Sequence, residues 1–288
     1  MRSVRCLNRS TLDLLYKLTV RSVIDYGLTI YFHTLKQTEI SRLNQLQYRA
    51  AKLCTGALHL TSQQKLEADL GWESLSTRAN FLGLCQFQKF HLHESRPLVL
   101  RCMPEINIAR TTRNKDFYRP FKKLGDKFSN SFFPYFTKQF NNLDVNLQIE
   151  HDLPTFKENL KRKLKPKKYK HFNWGSKRGN ALLTQLRVGR SFLNSHSFAI
   201  NLADSDLCLC SRPESTRHYF NQCFLYTEER RVLYNSMEQL IPKFKTFSEK
   251  MKTDVLLNGI NIDSEEFDSR NSKIIYLVQD FIFKTKRF

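Results

Sequence analysis

The chain has 288 residues and a formal net charge of +20, from 47 Lys and Arg against 27 Asp and Glu. This surplus exceeds what solubility requires, so a polyanionic partner is the first interpretation, an acidic membrane surface the second and charge for solubility alone the third. A hydrophobic content of 41% excludes a wholly disordered chain, and no apolar run approaches the roughly 20 residues of a membrane-spanning helix.

Two amphipathic helices are predicted near the start of the sequence. The first covers residues 11–24, and its apolar positions are Leu12, Leu15, Leu18 and Val23. The second begins at the N-cap residue Thr38 and ends at Gly56, a typical C-cap. Its predicted buried stripe consists of Ile40, Leu43, Leu46, Ala50 and Leu53.

The opposite face of the second helix carries polar residues at spacings of three and four, namely Arg42, Gln45, Arg49 and Lys52. Such a row of cations fits the phosphate backbone of a nucleic acid, and equally the solvated face of an ordinary amphipathic helix. Helices around residues 62–70 and 76–93 follow. Residues 1–103 are therefore predicted to form one compact helical domain.

The middle of the chain holds most of the excess charge. Residues 110–190 contain 20 Lys and Arg against six Asp and Glu, a surplus of 14, with aromatic residues interleaved. Cations beside aromatic rings suit a nucleic acid, because bases stack on the rings while cations hold the backbone. The alternative for each phenylalanine is a place in the core. We expect residues 104–179 to form a basic linker with short helices, one of them at 154–164.

A dense run of cations occupies the end of that predicted helix and the residues after it. Seven of the ten residues from 161 to 170 are basic: Lys161, Arg162, Lys163, Lys165, Lys167, Lys168 and Lys170. Such a run is typical of a nucleic-acid contact and equally of a nuclear-import signal, since both depend on the same charge.

A second helical domain is predicted over residues 180–288. Its first helix has an apolar side made of Leu182, Leu183, Leu186 and Val188. The other side carries Arg187 and Arg190, which we add to the candidate nucleic-acid contacts.

The sharpest motif is Cys208-x-Cys210-x7-His218-x4-Cys223. Three thiolates and one imidazole are a complete tetrahedral ligand set for Zn2+, and four protein ligands leave no open position, so the zinc would be structural. The first pair is one residue closer than the usual C-x2-C, and the alternative is a chance grouping. The chain has seven cysteines and is too long for a secreted disulfide scaffold. We therefore expect a reducing, intracellular location, in the nucleus or the cytoplasm.

Motifs for catalysis are missing from the sequence. A nucleic-acid polymerase needs paired carboxylates to hold two metal ions, and no Asp-Asp pair occurs. A phosphate-binding loop, a nucleophile elbow and H-E-x-x-H are also absent. We expect no enzymatic activity from this chain and no small-molecule substrate.

Several short sequence segments follow one another along the chain in a particular order. Residues 15–27 read LYKLTVRSVIDYG, residues 43–53 read LNQLQYRAAKL, and residues 140–143 read FNNL. Residues 186–189 read LRVG and lead towards the cysteine motif within residues 202–226. This order resembles the C-terminal third of reverse transcriptases from LINE-type non-LTR retrotransposons, from the start of the thumb to the terminal zinc-binding segment. FNNL departs from the family's W-N-x-L-P phrase by a phenylalanine in place of tryptophan.

The resemblance implies a parent RNA-directed DNA polymerase whose endonuclease and palm aspartates lie in parts that this chain lacks. It implies thumb contacts to a template–primer duplex, for which Arg42, Arg49 and Lys52 are the candidates. It also implies that the zinc-binding segment binds the element's RNA. The expected fold is mainly α, with two helical units joined by a basic, aromatic-rich linker and a small zinc-knuckle-like segment in the second.

Three functions compete on this basis. The first is a nucleic-acid-binding fragment, for RNA or DNA, without polymerase activity and without a membrane partner. The second is an enzyme, an RNA-directed DNA polymerase, to which the chain would be assigned because of its descent from such a parent. The third is a host-recruited zinc-binding module that binds a protein partner.

Overall fold

The protein is described by a computed structural model that covers residues 7–92, 101–107, 116–122, 125–164, 170–260 and 265–288. Within these ranges the fold is mainly α, as predicted. The β-structure of the described residues is limited to two isolated antiparallel bridges, Ile106 with Tyr118 and Leu207 with Pro213. None of the described helices combines the length and apolar character that crossing a membrane requires.

The chain divides into two compact units, and neither is a continuous stretch of sequence. The C-terminal unit consists of Met1–Tyr16, Tyr48–Gly71 and Lys168–Phe288, and the central unit of Lys17–Gln47 and Trp72–Lys167. The predicted division at 1–103, 104–179 and 180–288 therefore differs from the observed one. Periodicity reveals where a helix lies but not which distant helix it packs against, so it could not find units made from separate segments.

The central unit contains the residues predicted to form a linker. Its helices are Ser22–Asp25, Leu28–Tyr31, the first part of Gln37–Thr55, Leu75–Leu92, Asp126–Ser129, Phe132–Asn141, Val145–Gln148 and Leu153–Leu164. The helices Phe132–Asn141 and Leu153–Leu164 both pack against Leu75–Leu92. Fully buried aromatic side chains fill the space between them, namely Phe87, Phe136, Phe140 and Phe156. These aromatic residues are core residues, which corrects the expectation of a linker for residues 125–164.

The C-terminal unit is built around a second core. Its helices are Arg9–Leu15, the last part of Gln37–Thr55, Gln63–Leu70, Lys177–Val188, Asn194–Phe198, Thr227–Leu240, Glu249–Asn258 and Glu265–Lys284. The predicted apolar side of Lys177–Val188 is buried, and Ser176 caps this helix by accepting a hydrogen bond from the Gly179 amide at 3.0 Å. Thr227–Leu240 and Glu265–Lys284 pack against each other.

The predicted first helix is interrupted. The α-helix Arg9–Leu15 passes into a π-helical turn, Tyr16–Arg21, whose wider repeat rotates the residues that follow. Leu12 is buried as predicted, whereas Leu18 and Val23 are exposed. A regular 3.6-residue period cannot anticipate this change of face.

The helix Gln37–Thr55 buries a different stripe from the predicted one. Leu46 and Leu53 are exposed, whereas Gln47 and Ala51 are completely buried. The Gln47 amide donates a hydrogen bond of 3.1 Å to the carbonyl of Glu73, which removes most of the cost of burying a polar group. The helix is therefore rotated relative to the predicted orientation. Gln47, whose side chain is hydrogen-bonded, faces inward, and Leu46 does not.

Candidate metal centre and cationic surfaces

The first two cysteines of the motif lie in a tight loop of the C-terminal unit. The Cys208 amide donates to the carbonyl of Arg212 at 2.8 Å, and the Ser211 amide donates to the carbonyl of Cys208 at 2.8 Å. Ser211 has a φ of 63°, in the left-handed region, which lets the chain reverse directly after Cys210. The one-residue spacing of the pair is therefore compatible with both thiols facing the same side.

The last two residues of the motif are positioned by a π-helical turn, His218–Gln222. The Cys223 amide donates to the carbonyl of His218 at 2.9 Å, and this i to i+5 bond brings Cys223 back beside the imidazole. The His218 amide is in turn held by the hydroxyl of Ser215 at 3.1 Å. The five-residue separation of these two residues is thus spanned by a single turn.

The four side chains converge on one point. Their ligand atoms all lie within 4.8 Å of one another. The Sγ atoms of Cys208 and Cys223 are 3.7 Å apart, and Cys210 Sγ lies 3.1 Å from His218 Nε2. Cys208, His218 and Cys223 are buried, and Cys210 is half-buried. The cluster can therefore hold one metal ion away from bulk solvent, which confirms the grouping predicted from the motif.

Burial affects the protonation of these ligands. It raises the pKa of the Cys223 thiol to about 12 and raises that of Cys208, because a thiolate loses hydration in this setting. Burial also lowers the pKa of His218, so its imidazole is neutral near pH 7. A neutral imidazole is ready to bind a metal, and a bound cation supplies the positive charge that buried thiolates need.

Glu214, which no sequence motif indicates, anchors the loop between the two halves of the cluster. Its buried carboxylate accepts hydrogen bonds from the guanidinium of Arg287, at 2.6 Å to each oxygen, and from the amide of Asn194 at 2.7 Å. The partner Arg287 is 73 residues away along the chain, so no local pattern indicates the pair.

The cationic run begins on the exposed side of the helix Leu153–Leu164. Lys161, Arg162 and Lys163 are between 45% and 74% exposed. The acidic groups nearby are Glu158, 3.7 Å and 3.9 Å from the first two, and Asp144, 2.8 Å from the third. Exposed pairs of this kind are weak, so these cations remain available to a polyanion. Lys165, Lys167 and Lys168 lie outside the described residues, and Lys170 begins the short 3-10 helix Lys170–Asn173.

The cations of the helix Gln37–Thr55 differ in their exposure. Arg42 and Arg49 are exposed, whereas Lys52 is half-buried with its Nζ 5.1 Å from the ring centre of Tyr48. Arg42 and Arg49 are therefore accessible to a phosphate backbone, and Lys52 is partly engaged by an aromatic ring.

Arg187 and Arg190 differ from these exposed cations. The Arg187 side chain is buried and its Nε lies 2.6 Å from Asp69 Oδ1. Its other hydrogen bonds go to Thr184 and to the carbonyl of Leu257. Arg187 is therefore withdrawn from the candidate nucleic-acid contacts, because its guanidinium is buried and already bonded to Asp69, Thr184 and Leu257. Arg190 is half-buried.

No family model, no curated protein and no solved structure matches this chain.

Proposed function

We propose that this protein binds RNA or DNA through its exposed cations and that a structural zinc ion stabilises its C-terminal unit. The observation that carries the proposal is the charge surplus of +20 together with the exposure of Lys161, Arg162 and Lys163. Each cation placed on a phosphate releases condensed counterions, which favours binding without requiring sequence selectivity.

The donor set of the cluster favours zinc among the common metals. Cys3His is a structural zinc combination, and a Zn–S distance of about 2.3 Å in a tetrahedron separates two sulfurs by about 3.8 Å. The Cys208 and Cys223 sulfurs are 3.7 Å apart. Calcium and magnesium prefer oxygen ligands, which this cluster does not offer. The ion would link the Cys208–Cys210 loop to the His218–Cys223 turn and would leave no position for a substrate.

The resemblance to LINE-type reverse transcriptases supports binding and not catalysis. The thumb of that family grips a template–primer duplex, whereas its chemistry depends on palm aspartates for which this sequence has no Asp-Asp counterpart. A primer-extension assay with the purified chain distinguishes the two. We expect no product, with or without Mg2+, and extension above the background would favour the polymerase.

A salt titration tests the binding itself. The affinity for a short RNA or DNA is measured by fluorescence anisotropy at increasing salt, and we expect the logarithm of the affinity to fall steeply and linearly with the logarithm of the salt concentration. Absence of binding at low salt, or binding that is insensitive to salt, contradicts the proposal.

A triple substitution tests the assignment of the contacts. Lys161→Ala, Arg162→Ala and Lys163→Ala together are expected to reduce the salt slope by about 2 to 3, close to one unit for each lost phosphate contact. The matched control removes three exposed helical lysines of the C-terminal unit, Lys250, Lys273 and Lys284. An equal loss in both variants would mean that the helix Leu153–Leu164 has no special part in binding.

A protein-binding module is a second candidate, because apolar side chains near the metal cluster are exposed. Leu209, between the first two cysteines, is 94% exposed, and Phe224, directly after the last, is 67% exposed. Leu207 and Leu225, close to them in sequence, are exposed as well, and exposed apolar groups that gather in a patch are typical of binding surfaces. Loss of one specific protein partner on Cys210→Ser would support this function, and partner binding that survives both this change and chelation would contradict it.

A further inference from the structure

An open cavity lies in the central unit, in a region that the predicted contacts do not include. It is formed by the segment around Asp116–Lys122 and by the helix Phe132–Asn141, and its volume is about 490 Å³. Cavities that bind small organic groups usually measure about 300 to 1,000 Å³. The residues that matter for its chemistry are Phe121, Lys122, Asn130, Lys138, Gln139 and Asn142.

The wall of this cavity is held rigidly by Asn141. The Asn141 side chain accepts a hydrogen bond from the Tyr118 amide and donates one to the Tyr118 carbonyl, both at 2.9 Å. Tyr118 and Phe140 are buried in the core beneath. The backbone at Tyr118, three residues before Phe121, is therefore fixed against the helix Phe132–Asn141 by two hydrogen bonds with one side chain, and the cavity does not depend on apolar packing alone.

Besides one carboxylate, three kinds of group determine the chemistry of the lining. Phe121 offers a partly exposed ring, which meets Phe128 edge-on at 6.1 Å between ring centres. The side-chain amides of Asn130, Gln139 and Asn142 have no hydrogen bond within the described part of the chain and carry both donors and acceptors. Lys122 and Lys138 are exposed at the same cavity.

An unpaired nucleobase is a ligand that uses all three kinds of group. Its face stacks on an aromatic ring, its edge exchanges hydrogen bonds with amides, and its phosphates lie near cations. One carboxylate, Asp116, also lines the cavity. Its negative charge disfavours a phosphate deep inside the cavity and favours the N–H groups of a base edge, such as N3–H of uracil. A paired base cannot enter, because its edge is occupied by its partner and its faces by its neighbours.

We propose that this cavity binds one unpaired base of a single-stranded RNA or DNA, with Phe121 as the stacking platform and Lys122 and Lys138 on the adjacent phosphates. The proposal rests on the nucleic-acid binding proposed above and specifies it. It adds a single-strand preference that a purely cationic surface would lack.

The experiment compares two strands of equal length, an oligouridine and an abasic ribose-phosphate strand, by fluorescence anisotropy with the full chain at low salt. Stacking changes affinity by about five- to 150-fold per base. We therefore expect at least about fivefold tighter binding of the oligouridine. Phe121→Ala should remove this preference and leave the affinity for the abasic strand unchanged.

Two further variants separate stacking from charge. Phe198→Ala, the same change at an exposed position of the C-terminal unit, should retain the preference. Lys138→Ala should weaken the binding of both strands by the same factor, since each carries the same phosphates. Far-UV circular dichroism of each variant verifies that the helical fold persists.

The outcomes distinguish the two proposals. If both strands bind equally well, or if Phe121→Ala retains the full preference, the base-binding cavity is wrong while nucleic-acid binding stands. If neither strand binds, nucleic-acid binding fails as well. Binding of a proline-rich or acidic peptide that Phe121→Ala abolishes, without any strand preference, would assign the cavity to a protein partner instead.

Discussion

Arg187 Nε lies 2.6 Å from Asp69 Oδ1, and the two side chains are only 6% and 3% exposed. The other carboxylate oxygen of Asp69 is 2.7 Å from Arg9 Nη1, so one buried carboxylate holds two guanidinium groups. The Arg187 guanidinium also stacks on the ring of Phe172, 3.8 Å from its centre. Three segments of the C-terminal unit are therefore joined at Asp69.

Asp69→Asn should destabilise this unit by about 3 to 5 kcal/mol, because it leaves two buried guanidinium groups without a counter-charge. Burial by itself raises the pKa of Asp69, but the charges of Arg187 and Arg9 lower it well below its ordinary value. The ion pairs thus stabilise the fold above the ordinary carboxyl pKa of about 3.9, and that contribution is lost as the pH falls below it. Urea unfolding at pH 7 measures the effect.

The matched control for this change is Asp280→Asn, which removes the exposed partner of Lys284. Exposed pairs contribute about 0 to 1 kcal/mol, so this variant should unfold almost as the unmodified chain does. Equal unfolding free energies of the two variants would show that the Asp69 pairs make no special contribution.

Gly83→Ala should destabilise the central unit by about 1 to 3 kcal/mol through overpacking. A Cβ at this position would lie 1.9 Å from the Phe136 ring, and both residues are buried where two helices meet. Adding Phe136→Leu provides space, so the double variant should be more stable than the sum of the single changes predicts. Strict additivity in urea unfolding would contradict this close approach.

His33 should make stability depend on pH below neutrality. Its ring stacks on Tyr135 with 3.7 Å between ring centres, and burial lowers the pKa of His33 to about 4. The unfolded chain takes up a proton near pH 6.5, whereas the folded chain does so only near pH 4, so stability falls as the pH is lowered through this interval. His33→Phe keeps the ring and abolishes the titration.

The measurement for His33 is the unfolding free energy between pH 7 and pH 4. As the pH falls over this range, the unmodified chain should lose stability relative to His33→Phe. The difference between their unfolding free energies should therefore grow steadily. His59→Phe, at an exposed histidine, is the control and should follow the unmodified chain. A pH profile that His33→Phe leaves unchanged would rule out this contribution.

The grouping of three cysteines and one histidine could be predicted from the sequence because all four residues fall between positions 208 and 223, and turn-forming residues separate the two halves. Helix positions were likewise predictable where the apolar period is regular, as in Lys177–Val188. These are local properties of the chain, which short-range patterns express.

The remaining differences are long-range effects. Gln47 faces inward because Glu73 offers a carbonyl, and Arg187 is buried because Asp69 lies in a segment more than 100 residues away. The aromatic residues of the supposed linker, such as Phe136 and Phe140, could not be assigned to a core because their partners on Leu75–Leu92 are also distant in sequence. A local pattern shows the chemistry of a residue but not the partner that decides its burial.

Zinc removal is expected to destabilise the C-terminal unit. One metal ion per chain should be found by elemental analysis, and chelation should lower the unfolding free energy by about 4 kcal/mol or more, because the ion links two loops with little core of their own. Cys210→Ser should abolish both the metal content and the response to the chelator, since one of four ligands is lost. Cys102→Ser, at an exposed cysteine outside the cluster, is the matched control and should retain one ion and the full response. A metal-free chain whose stability is indifferent to zinc, to the chelator and to Cys210→Ser would mean that the four side chains meet without binding a metal.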